Sequence, residues 1–417
     1  MKLNSNIETD HFYKRYKIYI YPTDKQKEYL DRSFELTRYV WNWALEQEEN
    51  QYKLYLDGKI PKKDKFIKYF SLVQKYKKEK EDKVFLNSIQ YESARIILRH
   101  IITAYEKYFY GSFKHPKFKS KKYSSDYYPL RSERVYFEDN MLRIPGLPNG
   151  DKIYTKYHTN ESKSDNIKYY DCYICKDSLG RYYIRYAKKE KKYINYFSEN
   201  NIPKSEAIGI DLNVEQTIVC SNGNVYKKPD LSKINKRIKK CRKAINKDNK
   251  LLSQRQKKLE RTNSAIELLP SKNANKRTDK LRKLYIKKTN IIKNFIYQSI
   301  SRIIKMNPKA IVMEDLDVIK MKSTKYINKY ISDCNFGLIY EKMEEKCRQY
   351  NIPFITADRF YPSSQLCSNC GATKHTSQRE YHCNNCGLII DRDLNAAKNL
   401  AKLAENYDYD FSNLMIG

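Results

Sequence analysis

Apolar and polar residues alternate along residues 12–22 (FYKRYKIYIYP), the period of a half-buried strand. Thr23 to Gln26 (TDKQ) then has the spacing of a capping box, in which side chains at the first and fourth positions close each other's backbone donors and open a helix. Leu30, Phe34, Trp41 and Leu45 follow at helical spacing and give that helix one apolar face. A Lys-rich stretch, GKIPKKDK, interrupts as a loop. A second helix is predicted from about Ser88 to Phe109, with Ala94, Ile97, Ile101, Tyr105 and Tyr108 on one face. From Lys114 the texture changes to short β segments punctuated by Pro and Gly, and YYDCYICKDSLGRYYIRYAK reads as a hairpin turning at Asp177 to Gly180. The stretch YFSENNIPKSE has the composition of a linker.

Beyond the linker, AIGIDLNVEQTIV (207–219) reads as a buried strand running into a hairpin. Ile234, Ile238, Cys241 and Ile245 repeat at helical spacing, as Leu284, Ile291 and Phe295 do more loosely. With LLPSKNAN between them, these two patterns predict an antiparallel helical pair with a thin apolar seam. A strand (KAIVMED), a helix from about Phe336 to Tyr350, a second strand (IPFITAD), a cysteine cluster and a closing helix (LNAAKNLAKLAE) complete the chain.

Charge changes the picture most. The 417 residues carry 82 Lys+Arg against 49 Asp+Glu, a formal +33 that repels itself unless a polyanion binds. The helical pair concentrates it: from Lys227 to Lys305 there are 26 Lys+Arg and 5 Asp+Glu, net +21. A solvated helix face mixes signs, so this excess points to phosphate contacts, and Lys236, Arg237, Lys239 and Lys240 are its candidate nucleic-acid-binding residues. The 39 tyrosines would suit stacking of bases, although most fill ordinary core and surface positions. The first residues, MKLNSNIETDHFYKRY, contain no apolar signal core, and no run approaches the roughly 18 apolar residues of a membrane span. A cytoplasmic protein with no membrane partner is expected, nucleoid-associated in a prokaryote.

Two constellations carry chemistry. Cys367-x2-Cys370 and Cys383-x2-Cys386 lie twelve residues apart, and each pair precedes a glycine, the arrangement that points four thiolates at one tetrahedral zinc. Four thiolates close the shell, so His375 and His382 are read as non-ligands and the zinc as structural. Cys172 and Cys175 form another C-x-x-C, but three residues apart on a strand they point to opposite faces and read as ordinary buried cysteines. Three acids sit where buried segments end: Asp211 after Ala207–Ile210, Glu314 after Ala310–Met313, and Asp393 at the start of the closing helix. Gathered together they would repel unless a hard cation such as Mg²⁺ neutralised them, and a pair of such ions could hydrolyse a phosphodiester.

GIDLNVEQTIVCSNG, IVMEDLDV and DRDLNAAKN resemble the three RuvC motifs of the TnpB family, transposon-encoded RNA-guided nucleases related to compact type V CRISPR effectors. ISDCNFGLIYEKMEEKCRQYNIPFITADRFYPSSQLCSNCG, YPTDKQKEYLDRSFELTRYVWNWALE and HPKFKSKK are similar to further family segments, so the resemblance spans nearly the whole chain. It implies an α/β multidomain protein in which an RNase H-like RuvC nuclease domain carries an inserted zinc ribbon. An N-terminal wedge β-barrel, interrupted by a helical recognition module, would precede it. The implied boundaries are a first wedge strand (1–23), the recognition module (24–112), the rest of the wedge (113–196) and a linker (197–205). The nuclease domain would follow (206–417), with the basic helical insertion at 230–306 and the ribbon at 363–390. The implied catalytic and Mg²⁺-holding set is Asp211, Glu314 and Asp393, with Asp391 ranked second because the family places its metal carboxylate immediately before Leu-Asn-Ala-Ala. The implied partners are a guide RNA, encoded by the element's end, and double- and single-stranded DNA targets. Asn213-Val214-Glu215 stands where family members often carry a glycine, with little expected bearing on metal binding. Three other readings share the residues: a compact CRISPR effector, separable by neighbouring DNA; a nuclease-dead RNA-guided repressor, disfavoured by the intact triad; and a guide-free resolvase, which would not need the helical pair and ribbon.

Overall fold

Thr23 ends the first long strand and opens the first long helix: its hydroxyl accepts the Gln26 N–H, and the Gln26 side chain accepts the Thr23 N–H at 3.0 Å. Such a cap is worth about 1 kcal/mol. The structure, a computed structural model, describes residues 2–3, 11–111, 114–122, 124–144, 146–148, 150, 152–156, 168–194, 196–261, 266, 268–316, 332–376 and 378–405. The end of the IVMEDLDV motif and the start of the ISDCNF stretch lie outside the described residues. The chain divides into two units, Tyr13–Glu190 and Met1–Phe12 with Lys191–Gly417.

Strands β1 (Lys2–Leu3) and β2 (His11–Tyr21) begin the chain. The unit Tyr13–Glu190 then contains helices α1 (Asp24–Leu56), α2 (Tyr69–Asp82) and α3 (Tyr91–Phe109). Its remaining strands are β3 (Asp126–Pro129), β4 (Tyr136–Glu138), β5 (Met141–Arg143), β6 (Lys152–Thr155), β7 (Tyr169–Lys176) and β8 (Tyr182–Lys191). They form one sheet with β2, in the order β3-β7-β8-β2-β6-β5-β4. Leu30, Phe34, Ala94, Ile97 and Ile101 from the helices join Tyr128, Ile174 and Ile184 from the sheet in one core. The HPKFKSKK segment is tied to α1: the Trp41 indole donates to the Lys117 carbonyl, and the Asn42 amide makes two hydrogen bonds with the Lys119 backbone.

Three sequence expectations need correction here. Helix α2 was not expected, because only Leu72, Val73 and Tyr76 of its highly charged sequence are buried and its apolar stripe is too short to register. Helix α3 starts at Tyr91 rather than Ser88, since residues 84–88 form a 3₁₀ turn. Of its predicted face, Tyr108 is only half-buried. The Asp177–Gly180 turn forms as expected, with Gly180 at positive φ, and Cys172 and Cys175 are both buried free thiols.

The other unit contains α4 (Tyr196–Glu199), β9 (Ile208–Asp211), β10 (Ile218–Cys220), β11 (Val225–Tyr226), α5 (Ser232–Arg261) and α6 (Lys272–Ile304). It continues with β12 (Ile311–Glu314), α7 (Phe336–Tyr350), β13 (Phe354–Ala357), the hairpin β14 (Glu380–His382) and β15 (Ile389–Asp391), and α8 (Arg392–Lys402). Its main sheet has the order β1-β13-β12-β9-β10-β11, with β9, β12 and β13 parallel and β10 antiparallel to β9. β1 therefore extends this sheet by pairing with β13, although residues 1–23 were expected to belong to the wedge. The segment expected as a linker is packed instead: Phe197 is buried against Tyr350, and Ser205 bonds to the Asn307 backbone.

Helices α5 and α6 run antiparallel, with Arg277 reaching Asp248 at 2.6 Å and Lys288 reaching Asn235 at 2.9 Å. Ile234 and Ile238 are buried and Cys241 and Ile245 half-buried, the thin seam that was expected. On α6 Leu284 is buried as predicted, but beyond it the stripe lies one position further along, at Ile292, Ile296 and Ile300, while Ile291 and Phe295 are half-buried. The reason is that α6 also packs against α7, sharing a core with Phe336, Ile339 and Met343.

Candidate active site

Asp211 is the last residue of β9, and Glu314 is the last of β12. The two strands are parallel neighbours with Met313 paired to Ile210, so the next position on each carries an acid. Neighbouring strands run about 4.8 Å apart, and the carboxyl ends of parallel strands are where open α/β sheets bind ligands. The third acid, Asp393, lies in the first turn of α8, which packs along β9. Gly209 permits that packing, because any side chain there would overlap the backbone of Ala397 and Ala401.

Asp391 and Asp393 have different roles. Asp391 caps α8, its Oδ1 accepting the N–H groups of Asp393 at 3.0 Å and Leu394 at 3.1 Å. Burial works against its charge, but the Leu394 N–H and the Arg379 guanidinium hold its carboxyl below the usual range. Asp393 is only 5% exposed and accepts from the Asn213 amide at 3.1 Å. The same amide nitrogen lies 3.3 Å from Asp211 Oδ2, so one side chain touches both aspartates.

Burial, followed by the charges of Glu314 and Asp393, pushes Asp211 up to about 7. Burial likewise raises Glu314 against a hydrogen bond from the Ser363 hydroxyl, and raises Asp393 against the charges of Arg379 and Arg392. Asp211 thus stands within electrostatic reach of both other acids, although the three do not bring carboxylate oxygens within 4.8 Å of one another as the cysteine sulfurs do. Three buried acids that resist ionisation suit a hard divalent cation drawing them in through oxygen. Arg379 stands at the edge of the cluster, donating to Glu215 at 2.8 Å and Asp391 at 2.9 Å, with Asp393 at 3.5 Å.

The four cysteines form a second centre. Tight turns close at Gly371 and Gly387, both at positive φ, with N–H bonds back to the Cys367 and Cys383 carbonyls. The sulfurs of Cys367, Cys370, Cys383 and Cys386 lie within 4.8 Å of one another, with Cys367–Cys386 at 3.6 Å and Cys370–Cys383 at 3.5 Å. Bonds of about 2.3 Å to one tetrahedral ion would set sulfurs about 3.8 Å apart, so the thiols fit a metal. The Asn385 amide and the Ala372 N–H bring Cys370 down to about 6, which favours the thiolate a metal requires. Neither His375 nor His382 joins the cluster; His382 faces Glu380 instead.

Lys236, Arg237, Lys239 and Lys240 are all exposed on α5, and none of them forms an ion pair among the described residues.

Ser363, Arg379, Asn395 and Asn399 are parts of the site that the sequence did not single out, and Asn213, noted there only as a departure from the family pattern with little bearing on metal binding, touches both aspartates. Asn395 and Asn399 donate to the Leu366 carbonyl, and Asn399 also to that of Ser363, fastening the segment before the cysteines to α8. Their four-residue spacing beside buried alanines was a usable signal for one polar stripe facing inward. Ser363 and Arg379 reach the cluster from loop and hairpin positions that no periodicity marks.

Two family models match the chain: "Cas12f1-like, TNB domain" over residues 336–400, and HTH_OrfB_IS605, described as "Helix-turn-helix domain", over residues 12–56. A Streptomyces pristinaespiralis protein named "Putative RNA-guided DNA endonuclease" is 24% identical over 93% of this chain and 88% of its own length. A TnpB-like protein of Methanocaldococcus jannaschii is 29% identical over 61% of this chain and 84% of its own length. Among solved structures, a Cas12f1 chain from a complex with sgRNA and target DNA superimposes with a TM-score of 0.55 at 14% identity, covering 94% of this chain and 99% of that one. That likeness establishes a shared mixed α/β fold.

Proposed function

The chain belongs to the TnpB family, and from that membership we propose that it is an RNA-guided DNA endonuclease that cuts phosphodiester bonds by two-metal-ion hydrolysis. The observation that supports the chemistry is the placement of Asp211 and Glu314 at the carboxyl ends of two neighbouring parallel strands and of Asp393 in the first turn of the helix packed on them, close enough for both charges to act on Asp211. The sheet order, with a β9–β10–β11 meander flanked by parallel β12 and β13, supports an RNase H-like RuvC domain. Asp211, Glu314 and Asp393 would hold Mg²⁺, which when bound supplies an activated water and stabilises the leaving oxygen. Ser363 orients Glu314 through its hydroxyl, and Asn213 orients the two aspartates. Arg379 offers a cation at the edge of the cluster, where a scissile phosphate would lie.

The cysteine cluster is proposed as a structural zinc ribbon, since four thiolates leave no open position. The sheet of the Tyr13–Glu190 unit is proposed as the wedge and its helices as the recognition module. The exposed cations of α5 are proposed to lie against phosphates of the guide and its heteroduplex with the target, recognised by backbone and shape while base pairing supplies the sequence. Among the described residues no helix is long and apolar enough to cross a membrane. Sequencing the RNA that co-purifies with the protein tests the guided reading. One discrete RNA species with a variable 3′ or 5′ segment supports it, and protein free of RNA opposes it.

A further inference from the structure

We infer that Asn213 is a positioning residue that holds Asp211 and Asp393 together by donating through its amide nitrogen to one oxygen of each, so that a cation can take their remaining oxygens. This rests on the reading of Asp211, Glu314 and Asp393 as a metal-holding cluster. Asp211 and Asp393 are far apart in sequence and are carried by different elements, yet a single Asn213 Nδ2 lies 3.3 Å from Asp211 Oδ2 and 3.1 Å from Asp393 Oδ2. An amide nitrogen has two protons, one for each carboxylate.

The orientation of the amide is fixed by its other end. Asn213 Oδ1 accepts the backbone N–H of Glu215 at 3.1 Å and of Gln216 at 2.7 Å. Flipping the group would turn its oxygen toward two carboxylates and its NH₂ toward two N–H donors, losing all four interactions. The oxygen is thus committed to the turn, and the amide acts on the cluster only as a donor. Side chains that orient metal ligands in this way typically control metal affinity or activity by 10- to 100-fold.

A bland role is also open to Asn213: closing the turn after β9, as Asn and Asp commonly do. The two roles separate cleanly in Asn213→Asp, which keeps the acceptor for Glu215 and Gln216 but replaces the donor with a third negative oxygen facing two carboxylates. With guide-bound full-length protein, the thermal midpoint is measured in EDTA and across a Mg²⁺ series at fixed pH, beside DNA cleavage. Asn213→Asp is expected to lower the midpoint in EDTA by at least about 3 °C. Mg²⁺ should recover more of that midpoint than it adds to wild type, while cleavage falls about tenfold or more. Asn213→Ala, a second variant that adds no charge, should raise the Mg²⁺ concentration giving the half-maximal midpoint shift about tenfold. Wild-type behaviour of both variants in EDTA, in Mg²⁺ and in cleavage would overturn the inference and leave Asn213 a turn residue. Failure of the underlying reading looks different, because Asp211→Asn would then still cleave DNA.

Discussion

A β-carbon placed on Gly209 would stand 2.0 Å from the carbonyl oxygen of Ala397, so β9 and α8 touch backbone to backbone one turn from the acids they carry. This contact sets how far Asp393 stands from Asp211. Gly209→Ala should therefore push α8 off the sheet, cost several kcal/mol of stability and abolish cleavage. Ala397→Gly, which leaves the contact open, should cost only about 1 kcal/mol through helix propensity. Thermal unfolding of the two variants, with cleavage assays, checks the pair.

Cys383→Ser should lower bound zinc from one per chain toward none. Its effect should extend to the acids, since β15 ends on Asp391, the cap of α8, and pairs with β14 beside Arg379. Reduced cleavage with guide RNA still bound is the expected outcome. Elemental analysis that finds no zinc in wild type would refute the assignment of the metal.

Changing Lys236, Arg237, Lys239 and Lys240 together to Gln should weaken guide and target binding and flatten its salt dependence. Each phosphate contact contributes about 0.7 to 0.9 to the slope of log K against log salt. The loss should be nearly equal for two unrelated guides, because contacts to phosphate carry no sequence. An unchanged slope would place these cations in solvent, and a loss for one guide alone would mean that α5 reads bases.

Glu48 is fully buried in the Tyr13–Glu190 unit, with one oxygen accepting the Ile67 N–H, and burial pushes it up to about 7 from its ordinary 4.5. Between these values the folded protein holds a proton that the unfolded chain releases, so stability falls as pH rises from about 5 to 8. The loss is at most of the order of 3 kcal/mol. Glu48→Gln, neutral at every pH, should flatten this part of the stability profile and leave the mutant the more stable form at pH 8. Chemical denaturation across that range measures it.

Much of this architecture was legible in the sequence because it rests on local rules. The TDKQ cap, the Asp177–Gly180 turn, the strands ending at Asp211 and Glu314, and the paired C-x-x-C turns each carry their signal within a few residues. Tertiary packing hid the rest. The second half of the stripe on α6 shifted because that helix serves two neighbours, and α2 buries only three side chains of a largely charged helix. Residues 1–23 and 197–205 read as wedge and linker, yet β1 pairs with β13 and Phe197 packs on Tyr350, contacts fixed by residues far along the chain. Within the site, Asp211 and Glu314 stood out because each ends an apolar run, and Asp393 because the family pattern places its carboxylate before Leu-Asn-Ala-Ala. The roles of Asn213 and Ser363 did not, since they depend on partners about 180 and 49 positions away.

The most direct test is cleavage of guide-matched duplex DNA in Mg²⁺ by four variants: Asp211→Asn, Glu314→Gln, Asp393→Asn and Asp391→Asn. The first three should each lose at least about 100-fold in rate, the several kcal/mol expected when a cation loses a ligand, while RNA binding is unchanged. Asp391→Asn keeps an acceptor for the cap of α8 and should stay within about tenfold of wild type. Wild-type cleavage that ignores the guide, or an Asp393→Asn variant that cuts while Asp391→Asn does not, would contradict the account.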